Sequence, residues 1–458
     1  MYKRQTVKNT KRAGLITAIA AAIAVPMFIA SQSDDEVSAT ERDDTVSATA
    51  PDTDREVAAT VTNGTFTLPD GAYAMVGYGT VLVADGDEIT PHYVTRSTCT
   101  PGDPFDNDLD VDHATDDGDQ VLIDVVGSTT DYRLRPLLEA PTCDSDASAS
   151  VTAIDEVFST HYPFFDERDV DWPTEIRAIR SSVDDGSTTL RESLAAFMLG
   201  LGDGHTTLPD LDVSVDPADF GVDGITSVDD LARLVDSELD ATLTRLETVN
   251  TDPTGNVAWG TFTDRTDVGY LFIGGFLGDG DPVADRAVII AALDDAVASF
   301  DTVDRLVVDM RFNAGGFEDL AATTAGYFAT EPTDAYRKWP YGEPDPVVQT
   351  VIIEPQSKRF DGEVTILTSP ITASAAEAFV LAMRPVADAT VLGTPSFGEF
   401  SDAIDWTLPD GTEFTMSMEV YTDLDDNNFE AVGIPVDVAA PFDESIDAVL
   451  DLWPAKDE

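Results

Sequence analysis

An α/β core, preceded by a helical stretch and a small β-rich module, is the fold class that the sequence predicts. Three observations predict it. From about residue 256 onward, short runs of branched apolar residues alternate with amphipathic helical stretches. Between 150 and 250, apolar residues recur at helical spacing. Between 60 and 147, short alternating runs are broken by Gly and Asp.

The chain has 458 residues, enough for two or three domains, and 43% of them are hydrophobic, enough to bury a core. Its net charge is -61, from 87 acidic against 26 basic residues, and only 6 of the basic residues are Lys. Such a surface repels nucleic acid and anionic lipid, so both are excluded as partners. Periodic apolar segments argue against a disordered acidic chain. Abundant Asp with scarce Lys points to a salty habitat, where screening removes the self-repulsion.

The elements follow in order. Lys3, Arg4, Lys8, Lys11 and Arg12 precede an apolar run from Gly14 to Ala30, with no acidic residue before Asp34. This is the pattern of a signal peptide, and an uncleaved anchor is the alternative; either places the remainder outside the cytoplasm. Residues 31 to about 58, rich in Ser, Thr, Asp and Ala, read as a flexible linker. In the β-rich module, "GAYAMVGYGTVLVADGDEITPHYVT", "DQVLIDVV" and "DYRLRPL" read as strands. Between them Asp106, Asp108, Asp110 and Asp112 alternate. The Gly and terminal Glu of an EF-hand are missing, so a solvated acidic loop is expected there rather than a calcium site. Cys99 and Cys143, the only cysteines, bracket this region and read as a disulfide in an oxidising compartment, with two free thiols as the alternative.

Helices are expected over "IDEVFSTHYPFFDERDVDW", "PTEIRAIRSSV", "TTLRESLAAFMLGLGDGH" and "SVDDLARLVDSELDATLTRLETV". The core then reads "VGYLFIGGF" (strand), "PVADRAVIIAALDDAVASF" (helix), "RLVVDMRF" (strand), "FEDLAATTAGYFA" (helix), "VTILTS" (strand), "SAAEAFVLAMRPV" (helix) and "ATVLGT" (strand). The chain thus divides into a leader at 1–33, a linker at 34–58, a stapled β-module at 59–148, a helical region at 149–250 and an α/β core at 251–458.

Chemistry is concentrated in few places. Of the four histidines, His92 follows Pro91 in a strand-like run, His113 sits in the acidic stretch, and His161 lies among aromatic residues as a packing group. His205 ends a helical run in "LGLGDGHTTL", where flanking glycines present it as a general base; a structural His is the plainer reading. In "ILTSPITASAAEAFVLAM" a strand gives way to a helix near Ser374. The helix N-terminus there favours developing negative charge, although a simple helix cap explains the same residue. In "LVVDMRFNAGGFEDL", Gly315 and Gly316 allow backbone amides to face a substrate oxygen, or form an ordinary turn held by an Asp309–Arg311 pair.

Together these segments resemble the S41-type serine peptidases, the family of the carboxyl-terminal processing (tail-specific) and tricorn core proteases. "DMRFNAGG" at 309–316 resembles the D-x-R-x-N-x-G-G turn of that family, and "TASAAEAF" at 372–379 its nucleophile segment. "GDGHTTL" at 202–208 and "NNFEAVGIPVDV" at 427–438 resemble the His and acidic segments of the branch without a catalytic lysine. "HYPFFDERDVDW" resembles the helical region ahead of the core in that branch. Glu399 in "SFGEF" stands where the tail-specific branch has its lysine, and Gly204 where tricorn relatives have a serine. The resemblance implies a crotonase/Clp-protease-like β/α core. It implies catalysis by Ser374, His205 and Glu430, with an oxyanion hole from Ala375 and either Gly315 or Gly316. It implies a polypeptide or peptide substrate, no cofactor and no metal. Membrane contact is expected only through an uncleaved leader, and no pattern fixes an oligomeric state. A catalytically silent binding member of the fold and an esterase are the alternatives.

Overall fold

A computed structural model describes residues 61–62, 65–116, 120–143, 146–209, 225, 227–277 and 282–453. The expected leader and linker lie outside the described residues. Ten strands form the N-terminal module: β1 (Val61–Thr62), β2 (Thr65–Phe66), β3 (Gly71–Met75), β4 (Thr80–Asp85), β5 (Glu88–Val94), β6 (Cys99–Pro101), β7 (Phe105–Asp106), β8 (Leu109–Asp116), β9 (Val121–Val125) and β10 (Asp131–Leu137). They pair in the order β1-β2-β8-β9-β10-β3-β4-β5-β6, with β7 also on β5. Alternation explains the pairing: Phe66, Tyr73, Leu82, Ile89, Val121, Ile123 and Leu134 point to one apolar cluster.

The acidic stretch is not a loop. Asp106 and Asp110 lie in β7 and β8, exposed, while Asn107 and Val111 are buried. Alternate aspartates fit a strand with one wet face as well as they fit a solvated loop, and the interleaved Phe105, Leu109 and Val111 decide it. Cys99 is joined to Cys143 across 44 positions. Closing a loop of that length restricts the unfolded chain, typically by about 2–4 kcal/mol. Cys99→Ser with Cys143→Ser is therefore expected to lower the thermal midpoint of the module; an unchanged midpoint would show that the bridge contributes nothing.

Four helices follow: α1 (Ser150–His161), α2 (Trp172–Asp184), α3 (Leu190–Leu201) and α4 (Val228–Leu243). The first is shorter than expected. It stops at His161 because Tyr162, which precedes Pro163, is driven to extended geometry (φ -85, ψ 118). The capping box of Thr189 and Glu192 starts α3, and Gly202, at φ 67, ends it. His161 is buried against Trp406, with Nδ1 3.1 Å from the Gly77 carbonyl, and burial pushes its pKa down to about 4.

The core continues with β11 (Asn250–Thr251), β12 (Val257–Thr261), β13 (Val268–Ile273), α5 (Pro282–Ser299), β14 (Arg305–Asp309), α6 (Glu318–Ala325), β15 (Thr333–Pro340), β16 (Gln349–Ile353), β17 (Glu363–Thr368), α7 (Ala375–Ala387), β18 (Thr390–Gly393), β19 (Ala403–Thr407), β20 (Glu413–Ser417), β21 (Glu419–Thr422), β22 (Val438–Ala439) and α8 (Ser445–Leu452). The main sheet runs β11-β12-β13-β14-β17-β18-β22, parallel from β13 onward. Both faces are covered. Leu306, Val308 and Ile366 pack with α5 and α7, while Val307, Leu367 and Leu392 pack with α4 and α8. Strands β15, β16 and β19 to β21 were not anticipated from the sequence. The β19–β20 hairpin matters most, because Trp406, Phe414 and Met416 form one apolar cluster with α1 to α3 and so fix the helical region against the core.

Candidate active site

The parallel sheet brings two turns together. Asp309, the last residue of β14, lies beside Leu367 near the end of β17, so the segments leaving both strands emerge side by side. In an open α/β sheet this crevice beyond the carboxyl ends of the strands is where ligands bind. Three sets of hydrogen bonds hold the first turn. Arg311, fully buried, pairs with Asp309 through two bonds of 2.9 and 2.7 Å and donates to the Phe442 carbonyl and Ser445. Tyr270 donates to Asp309 at 2.8 Å. Thr372 Oγ1 and the Ala373 amide tie the second turn to the first at the Met310 and Asn313 carbonyls.

Ser374 sits where the second turn enters α7, with φ 56 and ψ -130. A residue with a Cβ holds that geometry at a cost of roughly 1–3 kcal/mol, and only surroundings that over-determine it keep it there. The surroundings are visible. Buried Glu377 accepts the Ser374, Gly398 and Glu399 amides at 3.2, 2.7 and 2.7 Å, and the Glu399 carbonyl also accepts the Ser374 amide, at 2.9 Å. Burial raises the Glu377 pKa to about 7 despite those donors. Gly315 lies against the serine: a Cβ there would be 2.6 Å from Ser374 Cβ, so no larger residue fits.

The amides expected as oxyanion donors are not equivalent. Gly315, at φ 113, does not offer its amide, because that N–H donates to Asn313 Oδ1 at 2.8 Å. The Gly316 and Ala375 amides donate to no acceptor among the described residues. Gly316 has φ 125, and Phe276 clamps both its flanks: the Phe276 amide donates to the Gly315 carbonyl, and the Phe276 carbonyl accepts the Phe317 amide.

His205 follows the C-cap of α3. Its amide donates to Asp203 Oδ1 at 3.0 Å and its carbonyl accepts from Thr415 at 2.8 Å, so its backbone is fixed between α3 and β20. Its Nδ1 is buried without a partner. No hydrogen bond joins His205 to Ser374 or to Glu430 among the described residues, and the resemblance leaves open whether Glu430 reaches His205 directly or through an intermediary. Both Glu430 oxygens are occupied elsewhere, by Arg168 Nη2 at 2.8 Å and the Phe400 amide at 2.9 Å.

Arg168 is the residue that sequence reasoning missed. It stands in the "HYPFFDERDVDW" segment and ion-pairs with Glu430 at 2.8 Å and Asp203 at 3.9 Å. Burial opposes its charge, but Asp203, Tyr162 and Glu430 outweigh that. Glu430 is thus linked indirectly to the His205 main chain, through Arg168 and then Asp203, which accepts the His205 amide. Glu399 completes the cluster: its side chain accepts the Gly204 amide and its carbonyl holds Ser374, so one residue touches both the His and Ser segments.

Three buried carboxylates share one guanidinium. Burial first, and the charge of Asp203 second, push Glu399 and Glu430 each up to about 8. A carboxyl raised on folding keeps a proton that the unfolded chain has already released. Stability from this cluster is therefore full below the unfolded value of 4.5 and falls as pH rises toward 8. Glu399→Gln is expected to flatten the fall of thermal midpoint between pH 5 and 8; an unaltered slope would show that Glu399 titrates elsewhere.

Residues 267–440 match the model of Peptidase family S41. The S41 match spans both turns, Ser374, Glu399 and Glu430, and leaves Arg168 and His205 outside it. Among solved structures, the chain is similar to a candidate peptidase from Parabacteroides merdae ATCC 43184, with 22% identity over 68% of this chain and 98% of that one and a TM-score of 0.56. It also aligns with mature CPAF complexed with lactacystin, at 10% identity over 66% and 96% and a TM-score of 0.48. The photosystem II D1 C-terminal processing protease aligns at 19% identity over 38% and 42%, with a TM-score of 0.32. The first of these shares its fold with this chain.

Proposed function

We propose that this protein is an exported serine endopeptidase with Ser374 as its nucleophile. The observation that carries the reading is the conformation of Ser374: a serine held at φ 56 on a helix N-terminus, packed on Gly315, with two unpartnered amides nearby. A cap needs no such strain, since an N-cap residue is ordinarily extended. His205 takes the Ser374 proton as Oγ bonds to the substrate carbonyl carbon. The oxyanion settles on the Gly316 and Ala375 amides, in the field of the α7 N-terminus. His205 then passes the proton to the leaving nitrogen as the C–N bond breaks, and water releases the acyl group by the same route. Glu430 holds His205 through Arg168 and Asp203. Catalytic hydrogen bonds often tighten only when substrate binds, so the absence of a His205–Ser374 hydrogen bond among the described residues accords with this role.

Export rests on the basic, apolar N-terminus and on the disulfide, which belongs to an oxidising compartment. A binding protein of the same fold is the second reading, favoured by the unpartnered Nδ1 of His205. A fluorophosphonate probe separates the two. Labelling of the purified protein, at low or high salt, that disappears in His205→Ala is the expected result. A folded chain that never labels at either salt would favour the binding protein.

A further inference from the structure

The turn between β9 and β10 reaches out of the N-terminal module and onto the segment that carries Gly316. The Gly127 carbonyl accepts the Glu318 amide at 3.0 Å, and the Thr129 amide donates to Glu318 Oε2 at 3.4 Å. Gly127 has φ 104, and a Cβ there would lie 2.8 Å from the Phe317 ring. The turn is anchored on its other side too. Ser128 donates to Asp402 at 3.2 Å and Thr130 to Glu419 at 3.2 Å, while Gln349 donates to the Thr129 carbonyl at 2.7 Å. Phe317 and Glu318 directly follow Gly316, and the Phe276 carbonyl fixes the Phe317 amide.

From this geometry we infer that the β9–β10 turn is a positioning element of the active site, setting the Gly316 amide through Phe317 and Glu318. The Gly316 N–H shares a peptide plane with the Gly315 carbonyl, which the Phe276 amide holds on one side; with no side chain on Gly316, the other side of that plane is set by how Phe317 and Glu318 are held. A glycine at 127 is required for two independent reasons, its own positive φ and the ring against it. The module thereby becomes part of the catalytic machinery's support rather than an appended domain. The inference rests on the peptidase reading above. An oxyanion donor contributes in the transition state, so displacing it lowers kcat and leaves ground-state binding nearly intact.

The test uses the full chain with Gly127→Ala and the double variant Gly127→Ala with Phe317→Leu, which replaces the ring by a smaller, flexible side chain. Gly127→Ala is expected to lower kcat on a fluorogenic peptide by about tenfold or more with KM within about twofold, since a misplaced group costs up to about a hundredfold. The double variant is expected to regain the part of that loss that the ring contact causes, while the strain of a positive φ at position 127 remains. Unchanged kcat in Gly127→Ala, a loss carried by KM, or no recovery in the double variant would overturn the inference. Should Gly127→Ala not fold, Ser128→Ala with Thr130→Ala releases the anchors on the other side. It must show the same kcat-only loss, and unchanged kcat there would equally overturn it. The unaltered chain is the control: if it shows no Ser374-dependent hydrolysis, the peptidase reading itself fails, which a normal control with an unaffected variant does not imply.

Discussion

Ser374→Gly is expected to abolish turnover and, at the same time, to stabilise the protein. Loss of a serine nucleophile costs on the order of 10⁶ in kcat in a site of this kind. The stability gain has a separate origin. At φ 56 and ψ -130 any Cβ is strained, and glycine alone adopts the geometry freely. Removing that strain is expected to return roughly 1–3 kcal/mol, less the cost of a freer unfolded chain. Ser374→Ala keeps the Cβ and so the strain, and is expected to be equally inactive without the gain. Thermal midpoints of the two variants, measured side by side with hydrolysis, check this. Equal midpoints would mean that the turn is not strained by its side chain; residual turnover in either would remove Ser374 from its role.

Lys338→Met is expected to cost about 3–5 kcal/mol, the usual penalty for stranding buried charge. Lys338 is 1% exposed and ion-pairs with Glu318 at 2.7 Å, Glu419 at 3.1 Å and Asp402 at 3.4 Å. Burial works against its charge, but the three carboxylates outweigh it and hold it protonated. Glu419, buried and facing Asp402 besides Lys338, is pushed up to about 7. Without the ammonium, three carboxylates remain together in one largely buried cluster, and protonation relieves their repulsion. The deficit of Lys338→Met in urea unfolding is therefore expected to be largest near pH 8 and to shrink toward pH 5. Adding Glu318→Gln should recover part of it, because the two sites share one network. A loss below about 1 kcal/mol at pH 8 would show that water reaches the cluster.

The parts of the fold that were legible in the sequence are those written in local pattern. "RLVVDMRFNAGG" and "VTILTSPITASAAEAF" each read as strand, turn and helix because branched residues, glycines and small residues follow one another within a dozen positions. The features that escaped depend on distant partners. Nothing near Arg168 announces that it will neutralise Glu430. Nothing near Lys338 announces three carboxylates at positions 318, 402 and 419. The sequence leaves Gly315 and Gly316 as alternatives, and what separates them is local: Asn313, two residues before Gly315, turns its own carboxamide onto that N–H, as Asn readily does in turns.

The order of the chain gives one of these contacts a further meaning. The turn at 126–130 is made early in synthesis, yet Thr129 and Thr130 meet partners 189 and 289 positions later, and Arg168 waits 262 positions for Glu430. A chain that leaves the ribosome N-terminus first must carry this module, with its contacts unmade, until nearly all of the core has emerged. Closing so many distant pairs is slow. Ser374 thus gains its full surroundings only after most of the core has arrived, and on the peptidase reading proposed above a growing chain is spared an active site that could turn on its own unfolded remainder.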